Sequence, residues 1–189
     1  RMGYDGKGQV GIGPSDELTT AWQSLSGGGP ADAILEGFVD FQLELSVIVA
    51  RSPSGEMQCF VPVENRHKNH ILDETLAPAK IAVPLAAEAE AIAQKIAAEI
   101  GLEGILAVEM FLDRADRLLV NELAPRPHNS GHWTIDACIT SQFEQFIRAV
   151  AGLPLGRGER HSDAVMKNLL GDEIELWQEA LRDPDAKLH

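Results

Sequence analysis

The sequence predicts an α+β fold, and three observations predict it. Residues 41–51 alternate, with Leu43, Leu45, Val47 and Val49 on one face, and Pro53-Ser54-Gly55-Glu56 turns the chain into a second apolar run at 57–63. Apolar runs at 104–112 and 118–120 flank the polar turn Asp113-Arg114-Ala115-Asp116-Arg117, a second hairpin. Between the hairpins lies an alanine-rich helical pattern at 86–100. A doubly wound fold would place crossovers where this chain places hairpins, so antiparallel sheets with helices packed on them are expected.

In chain order, residues 9–12 read as a short strand after a glycine-rich loop. Residues 15–25 read as a helix that Ser15 caps behind Pro14 and that Gly27-Gly28-Gly29-Pro30 ends. Residues 33–39 read as a strand leading into the 41–63 meander. Ala89, Ile92, Ile96 and Ile100 recur at helical spacing, and Gly101 closes that helix. Residues 133–150 read as an amphipathic helix carrying Ile135, Ile139, Phe143, Phe146, Ile147 and Val150 inward, broken by Gly152-Leu153-Pro154-Leu155-Gly156. Beyond a polar stretch at 157–161, a strand is expected at 165–170 and a short helix at 174–182. The chain thus divides into a domain at 1–156 and a linker with a partial C-terminal domain at 157–189.

With 189 residues, 44% hydrophobic and 24% charged, the chain can build one large domain or two small lobes. A formal net charge of −13 argues against a nucleic-acid surface and toward small-molecule partners. Cys59 and Cys138 are too few for a disulfide framework and lack metal spacing, so they read as half-buried fillers in a reducing cytoplasm. No apolar run approaches the roughly 20 residues that span a bilayer. The first residues show no leader, and Arg1-Met2-Gly3 opens inside a loop, so the native start is expected upstream.

Chemistry concentrates in Asn121-Glu122-Leu123-Ala124-Pro125-Arg126-Pro127-His128-Asn129-Ser130-Gly131-His132, directly after the run Leu118-Leu119-Val120. Alternation puts Ala107, Glu109 and Phe111 on one face of their strand, and Leu118, Val120 and Glu122 on one face of its partner. Two carboxylates meeting on an apolar ribbon repel each other unless a cation sits between them. Oxygen-only ligation by few side chains suits Mg²⁺, which takes its other ligands from water and nucleotide phosphates. The alternative is that each Glu lies on a solvated strand face, and the neighbouring Arg, His and Asn cluster favours the metal. A second unusual stretch, Gly3-Tyr4-Asp5-Gly6-Lys7-Gly8-Gln9-Val10-Gly11-Ile12-Gly13, has glycines that can turn backbone N–H groups toward an anion and a lysine that adds charge. It matches neither the P-loop nor, except loosely, the dinucleotide fingerprint, and such loops serve as flexible turns as often as phosphate cradles.

Four motifs then occur in order: Gly-Tyr-Asp-Gly-Lys-Gly-Gln at 3–9, Glu-Gly-Phe-Val at 36–39, Glu-Asn-Arg-His at 64–67, and Asn-Glu-Leu-Ala-Pro-Arg-Pro-His-Asn-Ser-Gly-His-Trp-Thr at 121–134. Together they resemble the 5-(carboxyamino)imidazole ribonucleotide synthases, ATP-dependent carboxylating ligases of de novo purine synthesis in the ATP-grasp superfamily. The resemblance covers essentially the whole chain, although the family's chain is longer at both ends.

That resemblance implies two α+β lobes with antiparallel sheets gripping ATP, plus the start of a small C-terminal domain. It implies that bicarbonate attacks the γ-phosphate of ATP to give carboxyphosphate, and that the carboxyl group passes to 5-aminoimidazole ribonucleotide. Glu109 and Glu122 would hold Mg²⁺. Many ATP-grasp relatives place an Asn two residues beyond the second Glu, where this chain has Ala124, so Asn121 or water is expected to stand in. Arg126 would clamp bicarbonate or carboxyphosphate through its planar fork, with His128 and Asn129 completing the pocket. Glu36, Gly37, Phe38 and Val39 resemble the hinge that receives adenine, Glu44 aligns with an acid near the ribose, and His67 with a position near the nucleotide. His67 reads equally as part of a solvated turn. Gly3, Gly6, Lys7, Gly8 and Gln9 would cover the phosphates, and Tyr4 and Asp5 would meet the ribonucleotide. A homodimer is expected from the family. The rival readings are a formyl-phosphate or biotin-carboxylating ligase of the same superfamily, and a non-catalytic nucleotide-binding fragment.

Overall fold

A computed structural model of the protein describes residues 8–27, 29–30 and 32–189. They fall into two compact units, one running up to Phe38 and including Lys68–Ile71, the other made of Val39–His67 and Leu72–His189. In the first, helix α1 spans Leu18–Ser26, two residues later than a Ser15 cap would start it. The Gly13 N–H donates to the Asp16 carboxylate at 2.7 Å, and the Asp16 N–H returns to the Gly13 carbonyl. Pro14 and Ser15 are therefore consumed in a turn, and Glu17 stands at the N-cap without a side-chain capping bond. Gly27 ends the helix at φ 62°, in the left-handed region that glycine tolerates. Residues 9–12 and 33–39, expected as strands, form none; nearly all are exposed, so neither stretch has a face for a sheet to bury.

The second unit is built on a seven-stranded sheet. Its strands begin with β1 (Phe41–Arg51), β2 (Met57–Cys59), β3 (Val63–Lys68) and β4 (Ile71–Ala77). The run expected at 57–63 is two strands, interrupted at Pro62, which has no N–H to give a ladder. Helix α2 (Val83–Glu99) follows, then β5 (Gly104–Asp113) and β6 (Leu118–Ala124), the expected hairpin. After α3 (Thr134–Ala137) and α4 (Gln142–Val150) come β7 (Ala164–Lys167) and the short α5 (Trp177–Ala180). The strand order is β6-β5-β1-β3-β4-β7, with β2 also on β1.

Strand alternation gives this sheet two faces of different character. Leu45, Val47, Val49, Leu106, Val108, Met110 and Leu112 face α2, which meets them with Ala89, Ala93 and Ala97. Alanine at these positions lets the helix backbone approach the sheet closely. Each fully buried Leu or Val on this face contributes about 1.5–3 kcal/mol. On the opposite face, Ile48, Ala50, Phe60, Val63, Ile105, Ala107 and Ala124 pack against Trp133, Ala137 and Cys138. Along the same face the apolar side chains give way to Glu44, Ser46, Asn65, Thr75, Glu109 and Glu122, because these residues oppose one another or alternate with the apolar set in register.

The expected helix over 133–150 is two helices; of its expected inward residues Phe146 packs against the core and Ile135 is half-buried, and the rest of the stripe turns outward. The chain leaves α3 at Cys138, where it bridges to Arg160, and Ser141 caps α4 by accepting from the Glu144 N–H at 3.2 Å. The buried residues of α4 are Gln142, Gln145 and Ala149, whereas Phe143, Ile147 and Val150 are 40%, 57% and 49% exposed, and Ile139 between the helices is 55% exposed. The glutamines face inward because each side chain satisfies a backbone segment. Gln145 donates to the Gly156 carbonyl and accepts from its N–H, both at 2.8 Å, and Gln142 does the same for His128. Both cysteines are free thiols, and burial raises their pKa values, to about 12 for Cys59 and about 11 for Cys138. No helix among the described residues is long and apolar enough to cross a membrane.

Candidate active site

The acidic pair arises from an irregularity that alternation alone does not show. Leu118 and Val120 pair with Leu112 and Met110, on the α2 face. Unbroken alternation would put Glu122 on that face too, away from Glu109. A β-bulge between Glu109 and Met110 takes up Asn121 as an extra residue, so that Glu122 pairs directly with Glu109. The expectation that the two acids meet therefore holds, while the grouping of Leu118, Val120 and Glu122 on one face does not. Asn121 and Glu122 are exposed, and the Glu109 side chain is 17% exposed.

Burial, with the neighbouring Glu122 and Glu44 carboxylates, pushes the Glu109 pKa up, and His67 and Arg126 offset part of that rise. On the adjacent strands, Glu44 and His67 form a 2.5 Å contact. The bond to Glu44 raises the His67 pKa against the effect of its own burial, and the Coulomb field of Glu44 and Glu109 adds to the rise. Glu44, His67, Glu109 and Glu122 thus act on one another electrostatically.

Over this face lies the loop at 125–132. The Gln142 side chain, fully buried, accepts from the His128 N–H at 2.9 Å and donates to the His128 carbonyl at 2.7 Å. Gly131 is required by close approach, since a Cβ there would stand 2.2 Å from Ile48 Cδ1 and 2.6 Å from Gln142 Oε1. The His128 ring, so held, places Nε2 3.2 Å from Glu109 Oε1 and Nδ1 2.9 Å from Ser130 Oγ. Burial, then the positive charges of Arg126, His132 and His67, hold the His128 pKa down to about 4. With its pKa held that low, the ring makes a close polar contact with Glu109 rather than an ion pair.

Arg126 is exposed at the mouth of this loop, and its Nη1 donates to the Pro127 carbonyl at 3.1 Å. Asn129 has a buried Oδ1 with no hydrogen-bond partner, an acceptor that a ligand could satisfy. His132 stacks on Phe143, and Trp133 is buried as a core anchor. The structure therefore brings Glu109, Glu122, Arg126, His128, Asn129, Glu44 and His67 to one face of the sheet. Among the residues expected to bind nucleotide, Glu36, Gly37 and Phe38 are exposed and Val39 is half-buried; Gly8 and Gln9 are exposed. Gly3, Tyr4, Asp5, Gly6 and Lys7 lie outside the described residues. Sequence reasoning missed Ser46, Asn65, Thr75 and Gln142. Asn65 lay within the Glu-Asn-Arg-His motif at 64–67 without a role of its own, and a Ser among the apolar residues of β1 was the other local signal.

Among the described residues no group of three or more His, Cys, Asp and Glu side chains is placed to hold a metal. Two carboxylates facing each other, with an unsatisfied amide oxygen in the neighbouring loop, fit a hard divalent cation whose remaining ligands are waters and phosphate oxygens.

The chain belongs to the ATP-grasp family: the ATP-grasp domain model matches residues 1–143. Within that family its whole length is 51% identical to the N5-carboxyaminoimidazole ribonucleotide synthase of Brucella melitensis, of which it covers 52%. It is likewise 51% identical to the synthase of that name from Bacillus subtilis, covering 49%. The structure superposes over its full length on half of the Aspergillus clavatus carboxyaminoimidazole ribonucleotide synthase complexed with ATP, with a TM-score of 0.90 and 31% identity. The chain therefore spans about half the length of these relatives.

Proposed function

We propose that the protein carrying this chain is an ATP-dependent ligase that uses ATP and bicarbonate to carboxylate 5-aminoimidazole ribonucleotide, through carboxyphosphate, in purine synthesis. The observation that carries this reading is the Glu109–Glu122 pair beneath the His128 loop, in a chain half-identical to synthases of that name. The chemistry needs an anionic phosphoryl group to meet an anionic nucleophile, and positioning with charge neutralisation supplies most of such catalysis.

Glu109 and Glu122 would hold Mg²⁺, which when bound neutralises the ATP phosphates. His67 pairs with Glu44 on the same face of the sheet. The neutral His128 offers a fixed N–H, and Arg126, at the loop mouth, is suited to grip bicarbonate or the carboxyphosphate oxygens. Asn129 Oδ1 would accept from the bound substrate or its water. Glu36, Gly37, Phe38 and Val39 would present backbone groups to adenine, with Glu44 and Asn121 near the nucleotide. The segment Gly3, Tyr4, Asp5, Gly6, Lys7, Gly8 and Gln9 would cover the phosphates and meet the ribonucleotide. We take 1–156 as the ATP-grasp part and 157–189 as the link to a C-terminal domain.

The apolar strip of Ile139, Phe143, Ile147 and Val150 on the outside of α4 supports a homodimer, which sedimentation of an Ile147→Asp variant tests. The two unpaired thiols suit a reducing cytoplasm. The deciding experiment is phosphate release from ATP with Mg²⁺ and bicarbonate, with and without 5-aminoimidazole ribonucleotide, beside a Glu122→Gln variant. Release that rises strongly with the ribonucleotide and collapses in the variant is expected. Release indifferent to the ribonucleotide points to another acyl-phosphate ligase of the family, and no release at all to a non-catalytic binding module.

A further inference from the structure

We propose that a buried chain of side chains, Thr75, Asn65, Ser46 and Ser130, sets the hydrogen-bonding polarity of His128, holding the ring as the Nε2–H tautomer that faces Glu109. These are positioning residues, and they come from β4, β3, β1 and the loop after β6. All are buried, with exposures of 0%, 4%, 1% and 0% in the order given. Thr75 Oγ1 donates to Asn65 Oδ1 at 3.0 Å, Asn65 Nδ2 to Ser46 Oγ at 3.0 Å, and Ser46 Oγ to Ser130 Oγ at 2.7 Å.

An amide nitrogen can only donate, so Ser46 must accept from Asn65 and send its single proton onward to Ser130. Ser130 Oγ, already accepting, sends its own proton to His128 Nδ1, 2.9 Å away. Turning the Asn65 amide over would reverse every bond and put the ring proton on Nδ1. The Ser130 backbone N–H removes that option. It points at the same Nδ1 from 3.3 Å and cannot reverse, so a proton on Nδ1 would face a second donor. The ring proton therefore sits on Nε2, 3.2 Å from Glu109 Oε1. The ring thus presents an N–H, not a lone pair, to the nearer oxygen of Glu109 before any ligand arrives. The same chain ties β1, β3 and β4 to the loop, so the ring and the carboxylate share one rigid support.

Only the catalytic consequence rests on the ligase reading; the tautomer does not. The test is long-range ¹H–¹⁵N correlation on ¹⁵N-histidine-labelled protein, free of metal, with the His128 signals assigned through a His128→Gln variant. Wild type is expected to show Nε2 protonated and Nδ1 as a bare acceptor. Ser46→Ala frees the Ser130 hydroxyl to accept, and Ser130→Ala removes it. Each is expected to raise the Nδ1–H share about fivefold, the equivalent of one hydrogen bond of about 1 kcal/mol. Ser46→Thr, which keeps the hydroxyl, should restore the wild-type ratio, and Thr75→Val tests the far end without touching the loop. In phosphate release, Ser46→Ala should lower kcat and leave KM for ATP within twofold.

Nδ1–H or a doubly protonated ring in wild type overturns the proposal. So does an unchanged ratio in folded Ser46→Ala and Ser130→Ala proteins. Absence of ribonucleotide-dependent release with the tautomer shifts intact would instead overturn the ligase reading alone.

Discussion

Replacing Gln142 with leucine removes the two bonds that hold the His128 backbone while preserving volume and helix propensity. Gln142 is fully buried, and its bonds are 2.9 and 2.7 Å long. Each backbone group stranded without a partner costs about 1–3 kcal/mol. The loop is half-buried, so water reaches part of it, and a net loss of about 3 kcal/mol is expected from the roughly 2–6 kcal/mol total. Against a typical stability of about 5–15 kcal/mol this leaves a folded protein. At about 2–4 °C per kcal/mol for a domain of this size, Tm should fall by roughly 6–12 °C. Gln142→Glu is the internal control, because it keeps an acceptor for the His128 N–H and sets a second oxygen against the His128 carbonyl. Its deficit should shrink as the pH is lowered and the new carboxyl protonates. The assays are thermal unfolding by circular dichroism and ATP-dependent phosphate release, which should fall at least tenfold as His128 drifts from Glu109. A Gln142→Leu protein that melts within 2 °C of wild type would refute the claim that this side chain holds the loop.

His128, with its pKa near 4 in the fold against an ordinary 6.5, is charged in the unfolded chain before it is charged in the native one. The unfolded state therefore binds more protons between about pH 4 and 6.5, and stability must rise with pH across that window by about 3 kcal/mol in all. His128→Gln should flatten that slope in urea melts recorded at successive pH values. Glu109 shifts the other way: its pKa is raised in the fold from an ordinary 4.5, so the unfolded chain ionises first and stability declines as pH climbs above that value. Metal-free Glu109→Gln should thus be more stable than wild type at pH 7, and should lose the stabilisation that Mg²⁺ with ATP gives to wild type. Gly131→Ala forces a methyl into contacts of 2.2 Å with Ile48 and 2.6 Å with Gln142, and is expected to cost about 1–3 kcal/mol by overpacking, read as a lower urea midpoint at unchanged slope.

What the sequence made legible was whatever its local pattern determines. The alternation of β1, the alanine stripe of α2 and the hairpin at Asp113 carry their period in consecutive residues, and each lies within a few residues of where it was expected. The failures share a cause. Residues 33–39 have strand-like composition but no partner to pair with, and a strand is a property of the pair. The helix at 142–150 keeps Phe146 against the core but turns the rest of its apolar stripe outward, because inward positions are fixed by backbone groups at His128 and Gly156 that no periodicity can see. Here a long-range polar demand overrides the hydrophobic pattern.

The candidate site divides in the same way. Glu109, Glu122, Arg126, His128 and Asn129 stand in two short segments and announce themselves by chemical type. Their support does not: Ser46 is 84 residues from the Ser130 it bonds, and Asn65 is 19 from Ser46. A serine in a strand reads as a weak strand former until its partner is known. The bulge at Asn121 is subtler still, since it reverses the face on which Glu122 emerges without altering any residue type. Plain alternation reached the right pairing only because it assigned Leu118 and Val120 to the wrong side, and two errors of parity cancelled. The groups that would perform the chemistry are thus written locally, whereas their orientation is written in pairings across the sheet. Substitutions at Ser46, Asn65, Thr75 or Gln142 should therefore impair the site as surely as substitutions within it, although none of these side chains need touch a ligand.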